Sequence, residues 1–371
     1  MLKSLTVKNF RAFREVVTID FAKSGNYTFN PECVENGIVK TAIVYGKNSN
    51  GKSSIALAIF DIVANLTDNF ANRTIYLNYQ NAFSLDQPVE FKFQFQFDKN
   101  DVVYEYKKKT HSFIVAEKLS INNKTVVEYD KSRGNDLFID LAGAGNGKLN
   151  LDDLKISILK WLKNNCILHH NAINEAFNDM FNFVNKMLLF WSLEERSFVG
   201  YSQISENNII DEIVKEGHFA DLKAFFKEAG FHDELEHKNE SGQEKLYFKY
   251  NGVCLDFNML RSTGMSSLLL VFYWLRNLNT EKQPSFICID EFDAFYHFEL
   301  AYYLVKILKK CKPQIMLTTH NTTLFSNDIL RPDCYYICTR DSIINANNAT
   351  EKELREGHNL EKLYRGGTFG L

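Results

Sequence analysis

Two stretches of the chain alternate apolar and polar residues, as half-buried strands do. The first covers residues 2–21 and is interrupted at 9–13, so it predicts two strands joined by a turn. The second begins at Val89, carries phenylalanine at every second position from Phe91 to Phe97, and continues through 102–106 and 112–115. Strict alternation over this length predicts an antiparallel sheet with one buried face.

Other segments carry helical or fully buried patterns. The apolar run 41–45 predicts a buried strand, and the residues from 54 to about 66 predict a helix. Apolar residues then recur at helical spacing over 151–237, which predicts an inserted helical segment. Strand patterns return at 245–250 and 253–257. After Met265, helices and apolar strands alternate, as they do in a parallel α/β sheet.

Composition narrows the class of protein. The 371 residues include 43 Lys and Arg against 46 Asp and Glu, so charge alone does not indicate a nucleic-acid-binding protein. Seven cysteines are scattered and odd in number, which favours reduced thiols and a cytoplasmic location. We see neither a signal-peptide core nor an apolar run of membrane-spanning length, and therefore expect no membrane association.

The first motif that indicates a chemical function is at residues 46–53, which match the phosphate-binding loop G-x-x-x-x-G-K-[ST] at every fixed position. The loop lies between the predicted strand and helix, as this motif requires. We expect Lys52 to reach the β- and γ-phosphates of a nucleotide and Ser53 to bind Mg²⁺. The predicted nucleotide-binding residues of the loop are Gly46, Asn48, Asn50, Gly51, Lys52, Ser53 and Ser54.

Two later strands end in polar residues. Residues 286–289 lead into Asp290 and Glu291, and residues 314–319 lead into His320. Asp290 is predicted to bind Mg²⁺, Glu291 to orient and deprotonate the attacking water, and His320 to contact the γ-phosphate or hold that water.

A further candidate motif is the predicted start of a helix at residues 262–264, before Asp290 in the chain. Ser262 is predicted to cap the helix that begins there, and Gly264 to let the backbone approach an anion.

This order of motifs resembles the ABC-type ATPase heads of the SMC/RecF-like superfamily, and within it the compact bacterial AAA-family ATPases of RloA-like or OLD-like type. The motifs that carry the resemblance are residues 5–13, 290–297, 318–321, 327–333 and 357–364. It covers residues 1–110 and 250–371 and implies an α/β head with a mixed central sheet, an antiparallel β lobe and an inserted helical domain. The implied domains are 1–150, 151–244 and 245–371.

The resemblance also implies how the site works. The signature at Ser262 and Gly264 would serve the nucleotide of another subunit, giving an ATP-bridged dimer or a larger ring. Arg11, in the N-terminal motif, would contact nucleotide. Two positions depart from the family pattern, because Met265 replaces a hydroxyl residue and Phe295 replaces the D-loop serine. We therefore expect slow turnover.

Two further points concern nucleotide recognition: which glutamine belongs to the Q-loop, and whether the base is adenine or guanine. Gln80 and Gln87 are both candidates for the Q-loop glutamine. Residues 123–126 fail the last position of the guanine-reading motif, which favours ATP over GTP.

The resemblance favours a nucleotide-gated sensor or scaffold of bacterial anti-phage defence that controls a separate toxic effector, such as a nuclease. The alternative is a RecF-like DNA-repair ATPase that binds DNA directly, so nucleic acid stays a possible partner. A transporter subunit is disfavoured by residues 9–11 and by the large middle segment. Ordinary structural roles are predicted for the lysines at 107–109, as a solvated strand end, and for Glu194 and Glu195, as a charged turn or a helix end.

Overall fold

The computed structural model describes residues 1–69, 78–134, 136–146, 156–191, 197–200, 206–277 and 283–370. In chain order the strands are β1 (Leu2–Lys8), β2 (Val17–Asp20), β3 (Val34–Glu35), β4 (Ile38–Val39), β5 (Thr41–Tyr45), β6 (Val89–Phe97), β7 (Asn100–Thr110), β8 (Phe113–Ile121), β9 (Lys124–Asp130), β10 (Leu137–Ile139), β11 (Met187–Trp191), β12 (Ser197–Gly200), β13 (Leu235–Glu240), β14 (Gln243–Tyr250), β15 (Val253–Asp256), β16 (Phe286–Asp290), β17 (Gln314–Thr319), β18 (Tyr335–Cys338) and β19 (Ile343–Asn345). The α-helices are α1 (Lys52–Leu66), α2 (Ile158–Asn165), α3 (Ala172–Asn185), α4 (Glu206–Lys215), α5 (Phe219–Glu228), α6 (Phe257–Leu260), α7 (Thr263–Asn277), α8 (Phe298–Leu308) and α9 (Leu360–Arg365).

One large sheet is antiparallel throughout, in the order β10-β9-β8-β7-β6-β1-β2. Its alternating pattern buries Phe91, Phe93 and Phe95 on one face, where their rings stack at centroid distances of 6.3 and 6.1 Å. Phe183 of α3 meets the ring of Phe95 edge-on at 5.5 Å. The predicted antiparallel sheet and the predicted turn between β1 and β2 are both confirmed.

The second large sheet is mixed, in the order β12-β11-β16-β17-β5-β18-β19. Its five inner strands run parallel and its two edge strands run antiparallel. Strand β5 lies between β17 and β18 and is buried along its whole length, as a strand covered on both faces should be. The carboxyl ends of β5, β16 and β17 therefore share one edge. The predicted α/β class with a mixed central sheet and an antiparallel lobe is confirmed.

The helical interpretation of residues 151–237 is correct for α2 to α5 and wrong for β11, for β12 and for residues 235–237, which begin β13. Strand β11 pairs in parallel with β16 and extends the central sheet, and β12 pairs with β11. The apolar run of β11, from Met187 to Phe190, is too short for periodicity to distinguish a buried strand from a helix. The middle segment thus contributes strands to the central sheet as well as helices.

The domain limits stay predictions. The limit at 244 falls inside β14, which pairs with β13 and β15 in a small antiparallel sheet. The limit at 150 and the acidic pair Glu194–Glu195 lie outside the described residues.

The prediction of a solvated strand end at residues 107–109 is wrong for the middle lysine. Lys107 and Lys109 are exposed, whereas the side chain of Lys108 is buried and its Nζ lies 2.7 Å from Oδ1 of Asp61 in α1. Alternation along β7 places Lys108 on the covered face of the sheet, between Tyr106 and α1. A buried charge of this kind requires a partner, and Asp61 supplies it.

Candidate functional site

The phosphate loop connects β5 to α1 and depends on its two fixed glycines. A Cβ atom on Gly46 would lie 2.8 Å from the carbonyl oxygen of Cys338. Gly51 has a φ of +99°, and a Cβ atom there would lie 2.7 Å from the ring of Phe13. A side chain at either position would therefore displace β18 or the turn after β1. The local sequence thus fixes the path of the loop into the first turn of α1.

Lys52 occupies the centre of this loop. Its ammonium donates hydrogen bonds to the carbonyl oxygens of Gly46, at 2.9 Å, and Lys47, at 3.3 Å. The side chain is buried although it carries a charge. The loop therefore curls around a cation, next to the N-terminus of a helix 15 residues long whose dipole also favours an anion.

A cleft of ≈410 Å³ opens over the loop. It brings together residues from the phosphate loop and from the ends of β16 and β17, which are far apart in sequence. The residues that line it are Ala12, Asn48, Ser49, Gly51, Lys52, Ser53, Ser54, Glu291 and His320. The convergence of Glu291 and His320 on the loop is the arrangement that the motif order predicted.

Asp290 and Glu291 stand at the carboxyl end of β16 and are both fixed by Thr318. The Thr318 hydroxyl donates to Oδ1 of Asp290 at 2.5 Å and accepts the backbone N–H of Glu291 at 2.8 Å. Asp290 is buried, whereas Glu291 is partly exposed in the cleft. Glu291 has a φ of +48°, in the left-handed region that residues with a side chain rarely adopt. Its backbone conformation turns the chain sharply where the strand ends.

His320 follows β17 and is exposed at the cleft. The residues on either side of it are held in place. The Thr319 hydroxyl donates to Oδ1 of Asp293 at 2.7 Å and accepts the backbone N–H of Asn321 at 2.9 Å. The imidazole therefore projects from a fixed backbone into the cleft.

The described lining of the cleft does not include Gly46, Asn50, Asp290 or Arg11, which were also predicted to bind nucleotide or Mg²⁺. The side chain of Asn50 donates to the carbonyl oxygen of Cys338 at 3.2 Å, so it anchors the loop to β18. The neighbour of Arg11, Ala12, lines the cleft, while the Arg11 carbonyl accepts a hydrogen bond from the Asn81 side chain at 2.7 Å. A nucleotide contact by Arg11 stays a prediction.

The Q-loop also stays unassigned. Gln80 donates to the carbonyl oxygens of Leu85 and Gln87 within its own turn, at 3.1 and 2.7 Å. Neither glutamine is among the residues that line the cleft.

Ser262 and Gly264 lie at the start of α7, away from the cleft of their own chain, whose described lining includes neither. The Ser262 hydroxyl accepts the backbone N–H of Met265 at 3.2 Å, which makes it a helix cap as predicted. A Cβ atom on Gly264 would lie 3.2 Å from the Phe295 carbonyl oxygen. Met265, the departure from the signature pattern, is buried in the core, which explains why an apolar residue fits there.

Thr318 and Thr319 had no predicted role, although the motif at residues 318–321 contains both. Two adjacent hydroxyl residues at the end of an otherwise apolar strand were the available signal, because a buried hydroxyl needs a partner.

Other predictions concern the rest of the chain. All seven cysteines are free, as expected. Within the described ranges, no cluster of three or more histidine, cysteine, aspartate or glutamate residues is arranged to hold a metal ion. No helix in the part of the chain that the structure describes is both long enough and apolar enough to cross a membrane.

Solved structures of similar fold include the SMC head domain from Thermotoga maritima, with 15% identity over 93% of this chain and 98% of that chain and a TM-score of 0.43. An SMC head bound to the C-winged helix domain of ScpA has 15% identity over 92% and 97%, with a TM-score of 0.45. The recombination mediator protein RecF with ATP, of the RecFOR pathway, has 13% identity over 93% and 98%, with a TM-score of 0.40. No curated protein sequence matches the chain.

A family model described as "AAA domain, putative AbiEii toxin, Type IV TA system" matches residues 42–326. The matched region runs from β5, before the phosphate loop, to beyond His320, and so includes the whole described cleft except Ala12. The predicted resemblance to AAA-family ATPases is thereby confirmed, and the chain belongs to this family of AAA-domain proteins.

Proposed function

We propose that the chain binds ATP with Mg²⁺ at the described cleft and hydrolyses it slowly. The observation that carries this proposal is the meeting of Lys52, Glu291 and His320 around one cleft at the N-terminus of α1. Lys52 already donates hydrogen bonds to two carbonyl oxygens, and a polyphosphate offers it stronger, anionic acceptors. The β- and γ-phosphates would lie between Lys52 and the loop N–H groups.

The residues present fit a magnesium ion. Ser53 and Asp290 offer a hydroxyl and a carboxylate, which are the hard oxygen ligands that Mg²⁺ takes. Mg²⁺ is usually held by one or two protein groups together with substrate phosphates and water, so a large cluster of acidic residues is not needed. When bound, the ion would neutralise charge on the β- and γ-phosphates.

Hydrolysis in this cleft would use Glu291 as the base. Its carboxylate takes a proton from a water molecule as the water oxygen bonds to the γ-phosphorus. The bond from that phosphorus to the β,γ-bridging oxygen breaks, and ADP leaves with the bonding electrons. His320 would hold the water or a γ-phosphate oxygen during this step. Lys52 would stabilise the charge that develops on the phosphoryl oxygens.

We further propose that two chains share each ATP. Ser262 and Gly264 lie outside the cleft of their own chain, at the start of a helix whose N-terminus suits an anion. A second copy would place them on the γ-phosphate bound by the first, and the symmetry of a dimer would create two such sites. ATP would then favour assembly by mass action, and hydrolysis would weaken it.

Such a nucleotide-dependent assembly suits a sensor or scaffold that controls a separate effector, such as a nuclease, in cytoplasmic anti-phage defence. The sequence resemblance supports this role, and no other catalytic centre is evident in the described residues. The RecF-like alternative requires direct DNA binding. On the outer face of the antiparallel sheet several lysines are paired with acids, for example Lys92 with Glu105 at 3.1 Å and Lys107 with Glu90 at 3.0 Å. Those pairs reduce the positive charge available to a phosphate backbone.

Calorimetric titration with ATP and Mg²⁺ tests the site. Lys52→Ala should lose ATP binding because the phosphates lose their principal cation, whereas Lys92→Ala, which removes a partly exposed lysine of β6, should bind as the parent does. Equal affinity for the parent and Lys52→Ala would overturn the assignment. Binding of the parent to double-stranded DNA, with an affinity that falls as salt rises, would favour the RecF-like alternative.

A further inference from the structure

The end of β17 is tied to the end of β16 by one hydroxyl. Thr318 is fully buried, and its Oγ1 atom uses both of its hydrogen-bonding capacities on the neighbouring strand. It donates to the Asp290 carboxylate at 2.5 Å and accepts the Glu291 backbone N–H at 2.8 Å. A hydroxyl can do both at once because it carries one proton and two lone pairs. This single group therefore contacts the proposed magnesium ligand and the backbone of the proposed base.

The backbone of Glu291 requires such support. Its φ of +48° is rarely adopted by a residue with a side chain, and it persists only where the surroundings hold it. The N–H group that Thr318 accepts belongs to this same residue. The Phe292 N–H also donates to the Thr318 carbonyl oxygen, at 3.2 Å, so the turn is held from both the backbone and the side chain of Thr318.

The next residue forms a second tie. Thr319 is fully buried, and its hydroxyl donates to Asp293 at 2.7 Å and accepts the Asn321 N–H at 2.9 Å. Adjacent residues of a strand face opposite sides of the sheet. The two threonines therefore hold different parts of the site, with Thr318 on Asp290 and Glu291, and Thr319 on the backbone that follows His320.

We propose that Thr318 is a positioning residue for hydrolysis: its hydroxyl orients the Asp290 carboxylate toward the cation and fixes the strained turn that aims Glu291 at the attacking water. Thr319 has the corresponding role for the segment that carries His320. This inference rests on the proposed ATPase function, because it concerns how that site is held rather than whether it exists. Groups that orient a metal ligand commonly change metal affinity or activity by about 10- to 100-fold when they are removed.

The test compares three variants. Thr318→Val removes the hydroxyl and keeps the shape of the side chain. Thr318→Ser keeps the hydroxyl and removes a methyl group. Thr41→Val is the matched control, because Thr41 is equally buried on β5, the strand paired with β17, and its hydroxyl has no partner among the described residues. Phosphate release from ATP is measured against both ATP and Mg²⁺ concentration, together with thermal melting of each variant.

For Thr318→Val we expect kcat to fall about 10- to 100-fold and the Mg²⁺ concentration for half-maximal rate to rise, with the KM for ATP little changed. Thr318→Ser should restore most of kcat, and Thr41→Val should match the parent. A Thr318→Val enzyme with the kcat and Mg²⁺ dependence of the parent would overturn the inference. So would equal losses in Thr318→Val and Thr41→Val, because they would indicate a general packing effect.

A further variant separates this inference from the function on which it rests. Glu291→Gln is assayed beside Thr318→Val. If Glu291→Gln is inactive while Thr318→Val matches the parent, the positioning role fails and the ATPase assignment stands. If Glu291→Gln matches the parent, the proposed base is wrong, and the positioning role falls with it.

Discussion

Lys108 of β7 and Asp61 of α1 form an ion pair of 2.7 Å whose side chains are only 1% and 2% exposed. Two phenols join it, because Tyr106 donates to Oδ1 of Asp61 and Tyr79 donates to Oδ2, both at 2.8 Å. The pair connects the helix that follows the phosphate loop to the antiparallel sheet. A buried charge in this position holds the two parts of the head in one relative arrangement.

Removing one partner of this pair should be costly. We expect Lys108→Met to lower the free energy of unfolding by about 3 kcal/mol, since the buried Asp61 carboxyl loses its counter-ion. Adding Asp61→Asn should recover part of the loss. Urea denaturation measures both effects, and Lys107→Met, at the exposed neighbouring position, is the control with an expected change within about 0.5 kcal/mol. A Lys108→Met protein as stable as the control would contradict the structural role of the pair.

Substituting a buried tyrosine beside the phosphate loop should raise the free energy of unfolding rather than lower it. Tyr45 is the last residue of β5, and its hydroxyl has no hydrogen-bond partner among the described residues. Tyr45→Phe should therefore stabilise the protein by about 1 kcal/mol, because it removes an unsatisfied buried polar group. Tyr335→Phe is the matched control, since that hydroxyl donates to the carbonyl oxygens of Leu324 and Ser326. Loss of the Tyr335 hydroxyl should lower the free energy of unfolding by about 1 kcal/mol. Melting curves in which Tyr45→Phe unfolds at a lower temperature than Tyr335→Phe would contradict the interpretation that the Tyr45 hydroxyl has no partner.

The buried carboxyl of Glu117 predicts a dependence of stability on pH. Burial raises its pKa, although the Ser157 and Tyr104 hydroxyls and the Ile158 N–H donate to it and oppose the rise. A raised folded-state pKa means that the contribution of Glu117 is full below its unfolded pKa of about 4.3. That contribution is lost as the pH rises through the folded-state value.

The measurement compares the parent with Glu117→Gln, whose amide does not titrate. The free energy of unfolding of the parent minus that of the variant should fall as the pH rises from about 4.3 through the folded-state pKa. A constant difference would show that folding leaves the pKa of Glu117 unchanged, and a rising difference would show that folding lowers it, so either result would contradict the prediction.

Much of this architecture is predictable from sequence, for physical reasons that can be traced to particular residues. The phosphate loop was recognisable because only glycine fits at Gly46 and Gly51, where a side chain would strike Cys338 or Phe13. The antiparallel sheet was recognisable because one face is buried and the other is not, so its strands alternate strictly.

Other features depend on contacts between distant segments and leave no local pattern. In the sequence Lys108 cannot be distinguished from the lysines on either side of it, and only the packing of α1 against β7 brings Asp61 close to it. Strand β11 is an apolar run that only its pairing with β16 distinguishes from a helix. The φ of Glu291 and the bonds of Thr318 arise where two strand ends meet. The helix-cap role of Ser262 followed from the residue pattern, whereas its role toward the nucleotide of another subunit rests on the family resemblance alone.

Sharing of each site between two chains can be tested by mixing inactive variants. Lys52→Ala removes the phosphate cation, and Ser262→Arg should block closure on the partner while each chain still binds ATP. In a mixed dimer both lesions fall on one site and leave the other intact, so ATPase activity should return. Ser262→Ala removes the capping hydroxyl without adding bulk, and its melting curve shows how much stability the cap contributes, expected to be about 1 kcal/mol. Activity from Ser262→Arg alone at the rate of the parent would contradict the shared site.

The most direct test of the account is the rate of phosphate release from ATP by Glu291→Gln. The parent should hydrolyse ATP in the presence of Mg²⁺, and the variant should bind ATP but release phosphate about 10²- to 10⁴-fold more slowly, because the attacking water loses its base. Glu299→Gln, at an exposed acid in the first turn of α8, should match the parent. Hydrolysis by Glu291→Gln at the rate of the parent would contradict the central claim.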